Sequence, residues 1–468
     1  PMTATSNSST TIRSLKYKTY SRISCGGMKD IRDLVERYLR GGYEYEIFLQ
    51  RIRKLQIETS GESLENISTS EESGVGLRVL KDGRIGFAYT TSLEEDSLRD
   101  VVEKASEMCD LQNPDRGNVF IGELKNSEAE SVFDREGVEL SLDEKIDFTL
   151  SIERRAKELD SRIKGVRKTS FTEGVFGIEV FNSCGVHFGY EGTLYTASTA
   201  TLAQEGGDSA ISWEFRGVRR FRDLKAEEIA EDVVFKSTSL LKPRPFATRR
   251  VPVVFFRESF ALLLEAFSDM FLGDSLVKNK TLLKDRVGER IGGEGFSLID
   301  DGSMKGGFAT APYDAEGIPR RRNVLVDRGI LRGFLHSLYT ATLTGTEPTG
   351  NSERRSFRNL PTSGTTNFFM ERGDVLLQDL LKAEEEVLLV IDLMGLHTVD
   401  PVSGEFSLGA SGVLYRRGKP VHAVRGVTVA GNVLELWNKI VAVGSDLKFY
   451  GSVGSPSVLV AEVTVGGN

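Results

Sequence analysis

Two hairpin signals, each followed by a helix, restrict what this chain can fold into more than any other feature of its sequence. The first joins Val75–Leu80 to Arg84–Tyr89 across Lys81-Asp82-Gly83, and the second joins Phe176–Phe181 to His187–Tyr190 across Asn182-Ser183-Cys184-Gly185. Short turns rich in Asp, Asn and Gly return a strand beside its predecessor. Helices are expected after them, at about Ser97–Cys109 and Ala226–Leu241, and before them. Asp30–Leu39 places Ile31, Leu34, Val35, Tyr38 and Leu39 on one face and stops at Gly41-Gly42, and a second helix starts at Ser141, boxed by Glu144. The recurrence suggests duplication of a hairpin-and-helix unit. After the connector Lys242-Pro243-Arg244-Pro245, short strands alternate with Gly-rich turns, as in Asn323–Leu331 around Asp327-Arg328-Gly329.

Without regular βαβ alternation, the pattern predicts an α+β fold, with N-terminal helix and hairpin units and a larger, mainly β C-terminal domain carrying a few helices. The expected divisions are 1–27, 28–242 with a subdivision near 118, and 243–468. Residues 1–27 hold Ser, Thr, Arg and Lys without Asp or Glu, and read as a disordered leader, an organellar transit peptide or, preferably, a cloning-derived or mis-started extension. Thr344–Thr366, thick in Gly, Thr, Pro and Arg, reads as a groove-lining loop. Asn432 and Glu435 signal a cap for a helix with Leu436 and Ile440 inward that stops at Gly444.

Composition excludes several functions. The 468 residues carry 60 Lys and Arg against 68 Asp and Glu, a net charge of −8, the wrong sign for a chain that grips phosphate backbones. The one compact basic run, Arg320-Arg321-Arg322, is explained by a solvated hairpin edge. Cys25, Cys109 and Cys184 form neither a disulfide framework nor a CxxC pair, which fits a reducing cytoplasm. No apolar run approaches the ~18 residues of a membrane span; the nearest is Val387–Ile391. No GxGxxG follows a strand and no GxSxG elbow occurs. Gly412–Pro420 imitates a P-loop with one residue too many and Pro420 at the hydroxyl position. The four histidines, His187, His336, His397 and His422, show no HExxH or HxH spacing, and each is first a structural or surface residue.

Leu263 to Asp274 is the stretch closest to a catalytic motif. At ~100° per residue, Glu258, Leu262, Glu265 and Asp269 fall on one side of a helix and Phe260, Leu263, Phe267 and Phe271 on the other. The Glu265/Asp269 pair is either able to share a proton or hold a hard cation, or is a solvated acidic face.

Several C-terminal runs carry a family resemblance: Gly395-Leu396-His397-Thr398, Ser403 through Gly412, Gly426 through Asn432, Ala442 through Leu447, and Gly451 through Ser457. On these the chain resembles the TldD/PmbA family over residues 28 to 468, and more closely its TldE (PmbA) branch. The TldD branch carries an HExxxH helix and a downstream cysteine that bind zinc. The resemblance places Leu264 at the first histidine, Glu265 at the glutamate, Asp269 at the second histidine and Val453 at the cysteine. Leucine and valine supply no donor to zinc, and a general base such as Glu265 acts there on a metal-bound water.

The resemblance therefore implies a metal-less subunit with no catalytic residue and no cofactor of its own. A TldD-like partner would carry zinc, in a cytoplasmic metallopeptidase acting on unfolded or small peptides, with a homodimer as the form taken alone. His397 and Ser407 are candidates for the peptide path. The competing classes are a metal-independent hydrolase using His397 and Ser407 or the Glu265/Asp269 pair, and a non-enzymatic protein-binding regulator, as the family's label "modulator of DNA gyrase" suggests. Neither nucleic acid nor membrane is expected as a partner.

Overall fold

A computed structural model describes residues 26–127 and 130–467, so the expected leader over 1–27 lies almost wholly outside the described residues. The first sheet is built from two meanders. Helix α1 (Gly26–Tyr38) precedes β1 (Glu44–Ser60), β2 (Ser63–Lys81) and β3 (Arg84–Thr90), and α2 (Glu95–Leu111) follows them. The order then recurs: α3 (Arg135–Glu139) and α4 (Leu142–Leu159), next β4 (Ile163–Asn182), β5 (His187–Glu205) and β6 (Asp208–Val218), then α5 (Ala226–Ser239). The strands lie in the order β3-β2-β1-β4-β5-β6, antiparallel throughout. The recurring unit is thus a three-stranded meander flanked by helices, larger than the hairpin-and-helix read from sequence.

Local chemistry fixes these elements. Asp82 and Gly83 take φ of 52° and 75°, the pair of left-handed residues that a tight two-residue hairpin needs. Ser141 and Glu144 close the capping box of α4, the serine side chain accepting from Glu144 N and the glutamate accepting from Ser141 N at 2.8 Å. Helix α2 comes down on β3 where Gly86 has no side chain: a Cβ there would lie 1.8 Å from the Ala105 carbonyl oxygen. Strand β2 extends 12 residues before the expected start at Val75. Its first part, including Ser68–Ser73, is polar and largely exposed and is held by the ladder to β1, so no alternation of burial marks it in the sequence.

The C-terminal region is mainly β. Five strands, Arg249–Phe255, Glu386–Met394, Glu405–Arg416, Lys419–Asn432 and Val458–Gly466, pair in a ring that the contact of Thr428–Ala430 with Thr464–Gly466 closes. A second sheet holds Leu298–Asp301, Arg322–Asp327, Phe368–Met370 and Val453–Ser455 among its strands. Between them lies an apolar core in which Trp437, 1% exposed, stacks on Phe296 at 4.7 Å. Asn432 does cap a helix, its side chain accepting from Leu434 N, and Leu436 is buried. That helix ends at Asn438 rather than near Gly444. Ile440–Val443 is a strand paired with Val458–Val460, as suits the β-branched Ile440, Val441 and Val443.

The segment Thr344–Thr366, expected as a groove-lining loop, is in part a packing element. It folds over a small hairpin, Ser352–Glu353 against Thr362–Ser363, and drives Phe357 onto the first sheet. Phe357 is 1% exposed, and the glycines at 74 and 76 make room for it: a Cβ on Gly74 would meet its ring at 2.2 Å and one on Gly76 its carbonyl oxygen at 2.4 Å. Beside it Arg354 pairs with Glu46, and Arg78 pairs with Glu46 at 2.6 Å and with Glu316 at 3.1 Å, all buried. The loop is a clamp between the first sheet and the C-terminal region. The basic run is likewise engaged: Arg320 with Glu353, Arg321 with the Pro348 carbonyl, Arg322 with Glu371.

Candidate functional site

The ring strand Arg249–Phe255 runs directly into α6 (Arg257–Ala266), which carries the glutamate of the motif-like stretch. Ser259 ties the helix to the neighbouring strand by donating to the carbonyls of Val390 and Ile391. The α-helix ends at Ala266 and tightens into a 3₁₀ turn over Ser268–Phe271, with the Ser268 hydroxyl donating to the Glu265 carbonyl at 2.7 Å. The expectation that Glu258, Leu262, Glu265 and Asp269 share one face of a continuous helix therefore fails at its end. The change of pitch falls between Glu265 and Asp269.

A cavity of about 150 Å³ opens beside this helix. Trp213 and Phe215 of β6 form one wall, Glu258, Ala261, Leu262 and Glu265 another, and Tyr450 and Val453 complete it. Of the four positions assigned by resemblance, the fold brings Glu265 and Val453 to this recess. Leu264 is 2% exposed and packs into the C-terminal core, and Asp269 is exposed beyond the helix break. Solvent reaches the Glu265 carboxylate, yet the recess crowds it, and that partial desolvation raises its pKa. No other cause shifts it.

Beneath the recess lies a buried ion cluster. Lys236 of α5 bridges Glu214 of β6 at 2.6 Å and Glu258 of α6; Arg216 pairs with Glu214 and with Asp232; Arg257 and Lys448 reach Asp232 at 2.6 and 2.8 Å. Burial, with the Glu214 charge alongside, pushes Glu258 up to about 7 against the pull of Lys236. Burial opposes the charge on Lys236, but Glu258 and Glu214 outweigh it and hold its pKa above the usual value. Two carboxylates, Glu214 and Glu258, compete for the one ammonium of Lys236, which adds to the effect of burial on Glu258. Sequence reasoning missed the rest of this cluster. Its members come from α5, α6, β6 and the strand Lys448–Tyr450, and no spacing connects them.

Neither His397 nor Ser407 lines the recess, although the turn that holds His397 packs against α6. His397 lies in the exposed 3₁₀ turn Leu396–Thr398 and Ser407 on the strand Glu405–Arg416, and the Thr398 hydroxyl donates to the Ser407 carbonyl at 3.4 Å. Among the described residues no hydrogen bond joins their side chains. His336 is buried against Thr340, and His187 contacts Glu179 at 2.9 Å, both remote from α6 in their bonding.

Family profiles cover most of the chain. Residues 45–109 match PmbA/TldA metallopeptidase domain 1, 135–241 the PmbA/TldA metallopeptidase central domain, and 248–467 the PmbA/TldA metallopeptidase C-terminal domain. The chain belongs to the PmbA/TldD family. It is 27% identical over 425 residues to metalloprotease PmbA of Escherichia coli O157:H7, covering 90% of this chain and 92% of that protein. TldE from Thermococcus kodakarensis superposes with a TM-score of 0.84 at 26% identity, covering 94% of this chain and 100% of the other. A Thermotoga maritima protein named as a candidate modulator of a DNA gyrase superposes at 0.86 with 26% identity, over 94% of this chain and 100% of its own.

The zinc implied by the metallopeptidase name does not fit the residues present. Zinc takes nitrogen, sulfur or carboxylate donors, and position 264 offers a buried isobutyl group and position 453 an isopropyl group. Among the described residues no three His, Cys, Asp or Glu side chains gather as a metal ion requires. No helix among them is long and apolar enough to cross a membrane.

Proposed function

We propose that this PmbA/TldD-family chain is a metal-less, TldE-like subunit of a cytoplasmic peptidase, working with a zinc-bearing TldD-like partner on unfolded or small peptides. Membership of a family whose relatives are named metalloproteases supports a role in proteolysis. The finer reading rests on one observation: the recess on α6 is lined by the carboxylates of Glu258 and Glu265 and the Tyr450 phenol but by no histidine or cysteine, with Val453 at its edge and Leu264 turned into the core. A carboxylate without a metal-bound water has no nucleophile to activate. What the recess offers a peptide is shape and apolar contact. Trp213 is 49% exposed at its mouth on β6, the outermost strand of its sheet, so an extended peptide could add along that edge with a side chain in the recess.

The test is metal content and peptide hydrolysis of the purified chain, alone and mixed with a TldD-like protein from the same source, with and without chelator. The expected result is a metal-free, inert chain that joins a chelator-sensitive active complex. Stoichiometric zinc on the chain alone overturns the assignment of Leu264, Asp269 and Val453. Chelator-resistant hydrolysis lost in His397→Ala replaces the reading with a metal-independent hydrolase.

A further inference from the structure

We propose that a second cavity, where the end of β6 meets the C-terminal region, binds a small oxyanion, either a carboxylate or a phosphate. The cavity measures about 230 Å³ and shares no lining residue with the recess at Glu265. Among the described residues three cationic side chains, Arg219, Arg220 and Lys305, line it against one carboxylate, Glu130.

Arg219 carries the argument. It is 6% exposed, and its guanidinium donates to the carbonyls of Thr193 at 3.1 Å and Thr310 at 2.8 Å and faces the Phe176 ring at 5.4 Å. Its Nε is buried without a hydrogen-bond partner, and among the described residues no carboxylate lies within ion-pairing distance. Burial pushes its pKa down to about 10, with Tyr190 and then Arg320 as smaller influences of opposite sign. Proteins seldom keep a buried cation without a counter-charge, because desolvation costs several kcal/mol or more. Two carbonyl oxygens satisfy N–H groups but bring no net negative charge.

The rim is partly served. Glu130 holds Lys305 at 2.9 Å and stands 3.9 Å from Arg220, and all three side chains are at least a third exposed. Among the described residues one carboxylate thus answers two rim cations, and none pairs with Arg219. An oxyanion on the floor would meet Arg219 from within and the rim cations from outside. Planar guanidinium groups favour carboxylate and phosphate oxygens, and here the site excludes much of the water that weakens such pairs. The volume is several times the ~30 Å³ share of one water, enough for an anionic group with a short tail.

Titration calorimetry on the full chain at constant ionic strength tests this, with acetyl-dialanine as free acid, the same peptide as its amide, and inorganic phosphate. Saturable one-to-one binding of the acid but not the amide identifies a carboxylate site, and binding of phosphate alone identifies a phosphate site. In either case Arg219→Gln is expected to weaken binding about tenfold or more, and the exposed double variant Arg220→Ala/Lys305→Ala several-fold. If Arg219→Gln does not fold, the double variant decides. Absence of saturable binding by both anions at millimolar concentration, or affinity unchanged in the double variant, overturns the proposal. Neither outcome bears on the metal content or partner dependence that test the peptidase reading.

Discussion

Replacing Glu258 by Gln should stabilise the protein at neutral pH and above, by an amount that shrinks through mild acid and vanishes below about pH 4.5. The Glu258 side chain is 6% exposed, its ammonium partner Lys236 is shared with Glu214 at 2.6 Å, and its pKa stands near 7 against an ordinary 4.5. A carboxyl group raised on folding binds its proton more tightly in the native state. Its contribution is therefore fully present below pH 4.5 and is lost as pH rises through about 7. That gap corresponds to roughly 3 kcal/mol at 1.36 kcal/mol per pH unit. Gln mimics the neutral acid at every pH and removes the loss, while Glu214 still neutralises Lys236. Urea unfolding followed by circular dichroism at pH 5, 6, 7 and 8 should show a variant ahead of wild type by about 1 kcal/mol at pH 5, rising to about 3 kcal/mol at pH 8. A variant less stable than wild type by more than about 1 kcal/mol at pH 8 would refute the reasoning. It would mean that the ionised Glu258–Lys236 pair repays its desolvation.

Other substitutions test the packing. Phe357→Ala should cost about 3–5 kcal/mol by emptying the clamp over Gly74 and Gly76, read as a lower urea midpoint; an effect under about 1 kcal/mol would place the loop off the sheet. Gly86→Ala should cost about 3 kcal/mol or more, because its Cβ would collide with the Ala105 carbonyl rather than with a movable side chain; a thermally unchanged variant would contradict the close approach of α2 to β3. Ser141→Ala should remove about 1 kcal/mol through loss of the capping box, with Ser141→Asp restoring most of it in thermal melts.

The parts of the fold that were legible in the sequence are those whose cause is local. The turn at Asp82-Gly83, the box at Ser141 and Glu144 and the cap at Asn432 each depend on a few consecutive residues. The illegible parts depend on distant partners. The polar start of β2 is a strand because β1 lies beside it, and Ile440 leaves its expected helix because Val460 offers a ladder. The segment around Phe357 was expected as a groove-lining loop because it shows no apolar periodicity, and the burial of its one aromatic ring depends on two glycines some 280 residues earlier. At the site, resemblance pointed to Glu265 and Val453, which the fold does bring together. Nothing in the sequence announced the cluster of Glu214, Asp232, Lys236 and Glu258 beneath them.

Glu258 and Glu265 stand seven residues apart on one helix, and the difference between them bears on function. Both have pKa values raised by desolvation, but Glu258 sits within a cluster whose cations offset much of its cost, whereas desolvation is the sole cause acting on Glu265. The first is part of the seam that joins α5, α6 and β6, and its loss alters stability. The second meets water at the mouth of the recess and, among the described residues, makes no side-chain hydrogen bond or ion pair. A carboxyl group that bears a desolvation cost without structural return is the kind of residue a ligand site retains. On the proposed reading of a metal-less subunit, its work is to accept or donate a hydrogen bond to an entering peptide, with the aromatic wall of Trp213 and Phe215 offering contact to an apolar side chain beside it.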